Sequence, residues 1–329
     1  MRIFRLFFVL IILFFAVNVH PVLAGGGDEE NLPFGPQLAL FNFWGMTAPD
    51  MNHIWVSGGF GTIAHSSDGG NIWKLQETSV NTELYDIAFI DEKTGWSVGR
   101  HGVILKTTDG GDTWVKQDAN TEESLFSLCF VNPECGWAVG AFNTILYTDN
   151  GGATWVKQGE EQDRILNCVT FVDEKHGWIV GENGAISHTA DGGENWVEQV
   201  NPLEGYTFFG LSFKDHLNGW VVGMDGCMLH TQDGGTIWNI LESPLEEHLY
   251  AIQIMGDNGW AVGIKGNYCV SKDGGLTWMI SQDDIGSRLW LYRLSFVDEQ
   301  NGFVCGGNGT IRYTRDGKNW KHPDHLVLK

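Results

Sequence analysis

Tryptophan spacing narrows the folds open to this chain more than any other feature. Seven of its fifteen tryptophans, Trp73, Trp114, Trp155, Trp196, Trp238, Trp278 and Trp320, recur at steps of 41, 41, 41, 42, 40 and 42 residues. A second series, Trp55, Trp96, Trp137, Trp178, Trp220 and Trp260, keeps nearly the same steps and ends on Phe303, leaving only Trp44 and Trp290 outside. Self-similarity near this period means helical arrays or propeller blades. Within one unit the stretches Leu84 to Ile90, Trp96 to Gly99, Val103 to Thr107 and Thr113 to Lys116 are short, β-branched or aromatic, and separated by turn residues. No 3.6-residue period is sustained, which excludes helical repeats.

The first stretch of each unit alternates bulky and small residues, as in Tyr85, Ile87 and Phe89 against Asp86 and Ala88, or Phe209, Leu211 and Phe213 against Gly210 and Ser212. Alternation places the two sets on opposite faces of a sheet, so the bulky face of one blade can meet the small face of the next in a closed ring. The expected fold is all-β: a seven-bladed β-propeller of four-stranded antiparallel blades over 38–324, with 325–329 as a C-terminal tail. Two closures of the ring stay open, a strand from Leu32 to Leu40 added to the last blade, or simple packing of the first unit on the seventh.

Residues 1–24 read as a secretory signal peptide: Arg2 and Arg5, an apolar run from Leu6 to Val17, and a small-residue cleavage site ending at Ala24. Residues 25–37 are then a linker, and the chain is expected to be exported, to a periplasm, a thylakoid lumen or the extracellular space. Cleavage removes two positive charges and no acids, taking the formal charge from −21 to −23. Such a field disfavours nucleic acid and anionic lipid surfaces and speaks for a protein partner, with the mature chain monomeric and not inserted in the membrane. Most of the six cysteines fall in strands of different units and read as core thiols, with a Cys129 to Cys135 bridge as an option. No CxxC spacing occurs. His65, His188 and His230 hold one strand position in three different blades, so they read as exposed strand residues rather than as ligands of a common ion. No metal and no cofactor is expected.

Between the third and fourth stretches lies Ser/Thr-x-Asp-x-Gly-x-x-Trp. Its acidic residues are Asp68, Asp109, Asp191, Asp233 and Asp273, with Asn150 substituting in the third copy and Asp316 heading a seventh copy one residue short. This resembles the Asp box, or BNR repeat. Its carboxylate is expected to accept amide hydrogens of its own hairpin, its glycines to take positive φ, and its indole to plug the sheet interface. The boxes are therefore staples, and their resemblance to known examples implies a rim away from any ligand face. Together with Gly-Trp-x-Val-Gly segments such as Gly95 to Gly99, Gly136 to Gly140 and Gly219 to Gly223, seven such units behind a signal peptide resemble the photosystem II stability and assembly factor family. The resemblance implies a non-catalytic scaffold that holds a membrane-protein subunit or envelope complex during assembly. That family is associated with an arginine-rich patch, for which the candidates in this acidic chain are few: Arg100, Arg164, Arg288, Arg293 and Arg312.

Ligands of propellers meet the face built by the loops joining second to third strands and blade to blade. The partner-binding candidates on it are Arg100, His101, Phe142, Asn143, Glu182, Asp225 and Lys265. The alternative from another class is a carbohydrate-active enzyme or lectin, sialidase-like or xyloglucanase-like. Its most suggestive carboxylate is Asp86, which stands in a small column with Ser127, Cys168, Gly210 and Ala251. No second carboxylate at glycosidase separation can be named, so no catalytic residue is assigned. An aspartate in such a place more often bonds backbone amides or pairs with a basic side chain across the ring.

Overall fold

The computed structural model describes residues 41–283 and 285–327. They form a seven-bladed propeller. Each blade is a four-stranded antiparallel sheet in simple up-and-down order, and no α-helix occurs among the described residues. The innermost strands are Phe43–Thr47, Leu84–Phe89, Leu125–Phe130, Leu166–Phe171, Phe208–Phe213, Leu249–Met255 and Leu291–Phe296. Second strands such as Gly95–Gly99 and Gly136–Gly140 are buried throughout. Outermost strands shrink to two or three residues in blades 2 to 7, which limits the open edge each blade presents.

A single aromatic joint, made at five of the seven interfaces, explains the two tryptophan series, while Trp220 of blade 5 meets Ile254 of blade 6 instead. The second-strand indole of one blade stacks on the first-strand phenylalanine of the next: Trp96 on Phe130 at 3.6 Å, Trp137 on Phe171 at 3.5 Å, Trp178 on Phe213 at 3.6 Å. The same phenylalanine meets its own blade's Asp-box indole edge-on, as Phe130 does Trp155 and Phe171 does Trp196. The stacked indole then donates to a glycine carbonyl of the next blade's box, Trp96 Nε1 to Gly151 O and Trp137 Nε1 to Gly192 O, both at 3.0 Å. Each joint thus combines apolar area, quadrupole-matched rings and a satisfied buried donor.

The blade 7 to blade 1 joint departs from the pattern because Phe303 has no N–H to give. Arg315 stands in: its guanidinium lies 5.2 Å over the Phe303 ring and donates to the Gly69 carbonyl of the blade 1 box, to Met51 O and to Asn301 Oδ1. Among the described residues closure uses the packing route, with one addition. Phe43, Met46 and Trp73 of blade 1 do pack against Phe303, Cys305 and Tyr313 of blade 7. In addition His325–Val327, assigned above to a tail, forms a strand running parallel to Ile72–Lys74 and makes blade 1 five-stranded. The segments read as signal, linker and N-terminal closing strand lie outside the described residues.

Two expectations need correction. The three histidines are not exposed strand residues: His65 stacks on Trp55 at 4.1 Å, His188 on Trp178 and His230 on Trp220 at 4.8 Å, and His230 is buried. The third-strand side chain at this position caps the neighbouring indole face, a role Lys106 fills over Trp96. Nor do Cys129 and Cys135 bridge; all six thiols are free, and the Cys135 sulfur lies 3.7 Å from the Tyr147 hydroxyl.

Candidate functional site

The two faces of the propeller differ in kind. One carries the Asp boxes, and there the hairpin chemistry is fully spent. The Ile72, Thr113, Asn195, Ile237 and Thr277 amides each donate to an oxygen of Asp68, Asp109, Asp191, Asp233 and Asp273 at 2.9 Å. Asn150 keeps the needed acceptor, taking the Thr154 amide on Oδ1 at 2.9 Å, and the short seventh copy turns one residue earlier, with the Asn319 amide on Asp316 Oδ1 at 2.7 Å. Hydrogen bonds from Thr113 hold the Asp109 carboxyl below its ordinary range, and those from Thr277 bring Asp273 to about 2. A shallow groove of about 420 Å³ between the hairpins of blades 3 and 4, lined by Asn132, Asp173, Glu174 and Lys175, is bridged by a hydrogen bond from Asn132 to Glu174.

On the opposite face every turn from second to third strand contains a non-glycine residue in the left-handed region. They are Phe60, His101, Phe142, Asn183, Asp225, Lys265 and Asn308, with φ between 50° and 61°. Such a backbone is uncommon for side chains other than Asn, Asp and His, and costs on the order of 1–3 kcal/mol. The cause is packing of the turn on the blade-to-blade loop that follows its own blade. A Cβ at Gly61 would stand 2.1 Å from Val80 O, and one at Gly102 2.0 Å from Thr121 O. The residue before each such glycine is therefore lifted outward: Phe60 is 66% exposed and Phe142 50%.

Inside this rim the second residue of each inner strand faces its counterparts around the axis. Trp44, Tyr85 and Phe126 are linked at 5.5 and 5.1 Å, and Phe209, Tyr250 and Tyr292 at 5.4 and 5.2 Å. Asn167 breaks the ring, its amide donating to Phe208 O at 2.9 Å. Sequence reasoning missed this funnel of aromatics, because it grouped Tyr85 with Ile87 and Phe89. A bulge in the pairing of Leu84–Phe89 with Gly95–Gly99, between Leu84 and Asp86, turns Tyr85 out of the interblade core toward the axis. The signal available was the bulky residue in second place of nearly every inner strand.

The seven partner-binding candidates all fall on this face, in unequal states. His101, Phe142, Asp225 and Lys265 are exposed at the left-handed positions. Arg100 reaches Glu83 at 3.4 Å, Lys265 reaches Glu247 at 3.1 Å, and Asp225 lies 3.5 Å from His248. Glu182 accepts the Ile165 amide at 3.2 Å. Asn143 differs: it takes the place of the turn glycine with φ 57°, is buried, donates to Glu160 O and accepts from Arg164 Nε. Its side chain serves the loop.

The arginines divide further. Arg312 is buried and braces the loop before blade 7 by donating to Ile285 O and Gly286 O. Arg293 lies in the throat, its Nε 3.6 Å from Asp86 Oδ1. Asp86 also accepts the Ile87 and Leu128 amides at 3.0 and 3.1 Å. Both its oxygens are thus engaged, as expected for an aspartate held by backbone and a basic partner across the ring. Among the described residues no three His, Cys, Asp or Glu side chains converge as metal ligands.

With this geometry in view, the comparisons with known proteins are specific. The family model described as Photosynthesis system II assembly factor YCF48 matches residues 71–163 and 157–251, more than half of the chain. No curated protein sequence matches. Among solved structures, YCF48 bound to D1 peptide is similar with a TM-score of 0.71 at 21% identity, over 83% of this chain and 93% of that one. YCF48 from Cyanidioschyzon merolae gives 0.69 at 19% identity, over 84% and 95%. The GH74 xyloglucanase from Xanthomonas campestris gives 0.70 at 13% identity, over 88% of this chain but 54% of that one. At these identities the structures speak for the fold alone, and the family model carries the assignment: the chain belongs to the family of the photosynthesis system II assembly factor YCF48.

Proposed function

We propose that this protein is a non-catalytic propeller scaffold that binds a segment of a membrane-complex subunit on its funnel face, on the exported side of the membrane. The observation that carries the reading is the rim itself. Seven strained turns on one face lift side chains of mixed character outward, two of them exposed phenylalanines, where glycine or asparagine would sit without strain. Aromatic anchors within a polar surround are the composition of protein-recognition surfaces. Support also comes from the family, and from a neighbouring structure that contains YCF48 with D1 peptide. The glycosidase alternative loses its best candidate, since Asp86 accepts two backbone amides and stands beside Arg293. Capture from detergent-solubilised membranes tests the reading. Native protein should retain one membrane complex, and Arg100→Ala/His101→Ala/Phe142→Ala should lose it. Retention of an oligosaccharide with no protein partner would sink it.

A further inference from the structure

The throat below the aromatic ring holds a charged group that its neighbours leave incomplete. The Arg293 side chain is only 12% exposed, yet its nearest carboxylate oxygen, on Asp86, lies 3.6 Å from Nε, beyond hydrogen-bond length. Among the described residues its guanidinium has no hydrogen-bond acceptor. Arg312, one strand pair away, is the contrast: buried to a similar degree, it donates to the carbonyls of Ile285, Gly286 and Ile311. A guanidinium presents five N–H donors in one plane, and none of those of Arg293 is among the fully enclosed atoms that lack a partner, so its unmet donors open on the throat.

The surroundings add aromatic rings that carry neutral hydroxyls. The guanidinium lies 5.2 Å from the Tyr292 ring, which is 5.2 Å from that of Tyr250. Burial pushes the Tyr85, Tyr250 and Tyr292 phenols up, Tyr250 to about 12, so they remain O–H donors at neutral pH. Small residues such as Gly45 and Gly210 let adjacent inner strands close on one another around the throat, since a Cβ there would stand 2.8 Å from Asp86 Cα or from Tyr250 O. Asp86, the one anion present, already spends its oxygens on the Ile87 and Leu128 amides. A planar group with two acceptor oxygens fits such a fork.

We propose that the throat binds a single carboxylate, with the Arg293 fork taking its two oxygens and the Tyr250 and Tyr292 hydroxyls donating from the funnel side. The inference rests on the funnel being the binding face and adds the chemistry of what enters it. Three sources share that chemistry: a chain terminus, an Asp or Glu side chain, and a small free acid.

Titration of the purified full chain, followed by tryptophan fluorescence, separates them. The probes are benzoate, a pool of random hexapeptides with free C-terminal carboxylates, the same pool amidated and without acidic residues, and an amidated pool with one Glu in each member. Binding of at least one acid-bearing probe should exceed that of the amidated, acid-free pool by roughly tenfold, the worth of one charge-assisted pair. The double variant Arg293→Met/Asp86→Asn, which leaves no unpaired buried charge, should abolish the difference. If that variant does not fold, Tyr250→Phe/Tyr292→Phe should reduce it about threefold, the worth of a lost neutral hydrogen bond. Equal binding of all pools, or a preference that survives these variants, overturns the proposal. A partner captured through the rim and indifferent to the throat variants would overturn it while leaving the reading of the face intact.

Discussion

At the scale of single residues, the account turns on side chains held where they are costly. Asp86 and Arg293 are a buried pair of opposite charge. Removing one member of such a pair strands the other and destabilises by about 3–5 kcal/mol, while removing both costs far less. Urea unfolding should therefore show Arg293→Met much less stable than Arg293→Met/Asp86→Asn; the reverse order would mean that the two charges do not compensate one another. The rim makes the opposite prediction. Phe60 and Phe142 occupy left-handed backbone while half or more exposed, so Phe60→Gly/Phe142→Gly should raise stability by about 1 kcal/mol or more per site and weaken partner capture. A variant that is less stable would show that the phenylalanines pack rather than present.

At the scale of elements, what matters is how each blade grips the next. The sequence makes the grip legible in outline: both tryptophan series, the Asp boxes and the alternation of the first strand beyond its bulge correspond to real contacts. Its exceptions are not legible, because they depend on partners from different repeats. Phe303 reads as a conservative replacement for tryptophan, and nothing nearby in sequence says that Arg315 must then supply the missing donor to Gly69. His65, His188 and His230 have the alternating placement of exposed residues, yet each lies flat on an indole across the sheet. His325–Val327 is too short to read as a strand and acquires that form only against Ile72–Lys74. Arg315→Met should cost about 1–3 kcal/mol, by leaving the Gly69 carbonyl at the closing joint unmet. A chain ending at residue 321 should melt earlier than the full chain by several degrees, as expected for losing about 1–2 kcal/mol. An unchanged melting temperature would mean that the fifth strand is not part of the closure.

At the scale of the whole molecule, acid should be the propeller's weak point. His65 is lowered from 6.5 to about 4, chiefly by burial, and His188 and His230 are lowered for the same reason. The unfolded chain therefore takes up protons at these sites before the folded one does. Their contribution is complete above about pH 6.5 and is lost as pH falls toward 4. The box aspartates Asp109, Asp191, Asp273 and Asp316 are lowered by hydrogen bonds from Thr113, Asn195, Thr277 and Asn319. Their contribution is present above the ordinary carboxylate value of 3.8 and fades below it. Melting temperature should thus decline in two stages below neutrality, and His65→Phe should flatten the first; a flat profile from pH 7 to 4 would contradict the stacked-histidine account. The division of labour between faces was only half legible in the same way. Loop positions on the functional face follow from strand order, but the funnel needed the bulge that turns Tyr85 and its counterparts inward. The most direct test of that division is photo-crosslinking in solubilised membranes, with p-benzoylphenylalanine placed in turn at Phe142 on the rim and at Thr113 on the Asp-box face. The account predicts one discrete adduct with a membrane-complex subunit from Phe142 and none from Thr113; adducts from Thr113 alone would contradict it.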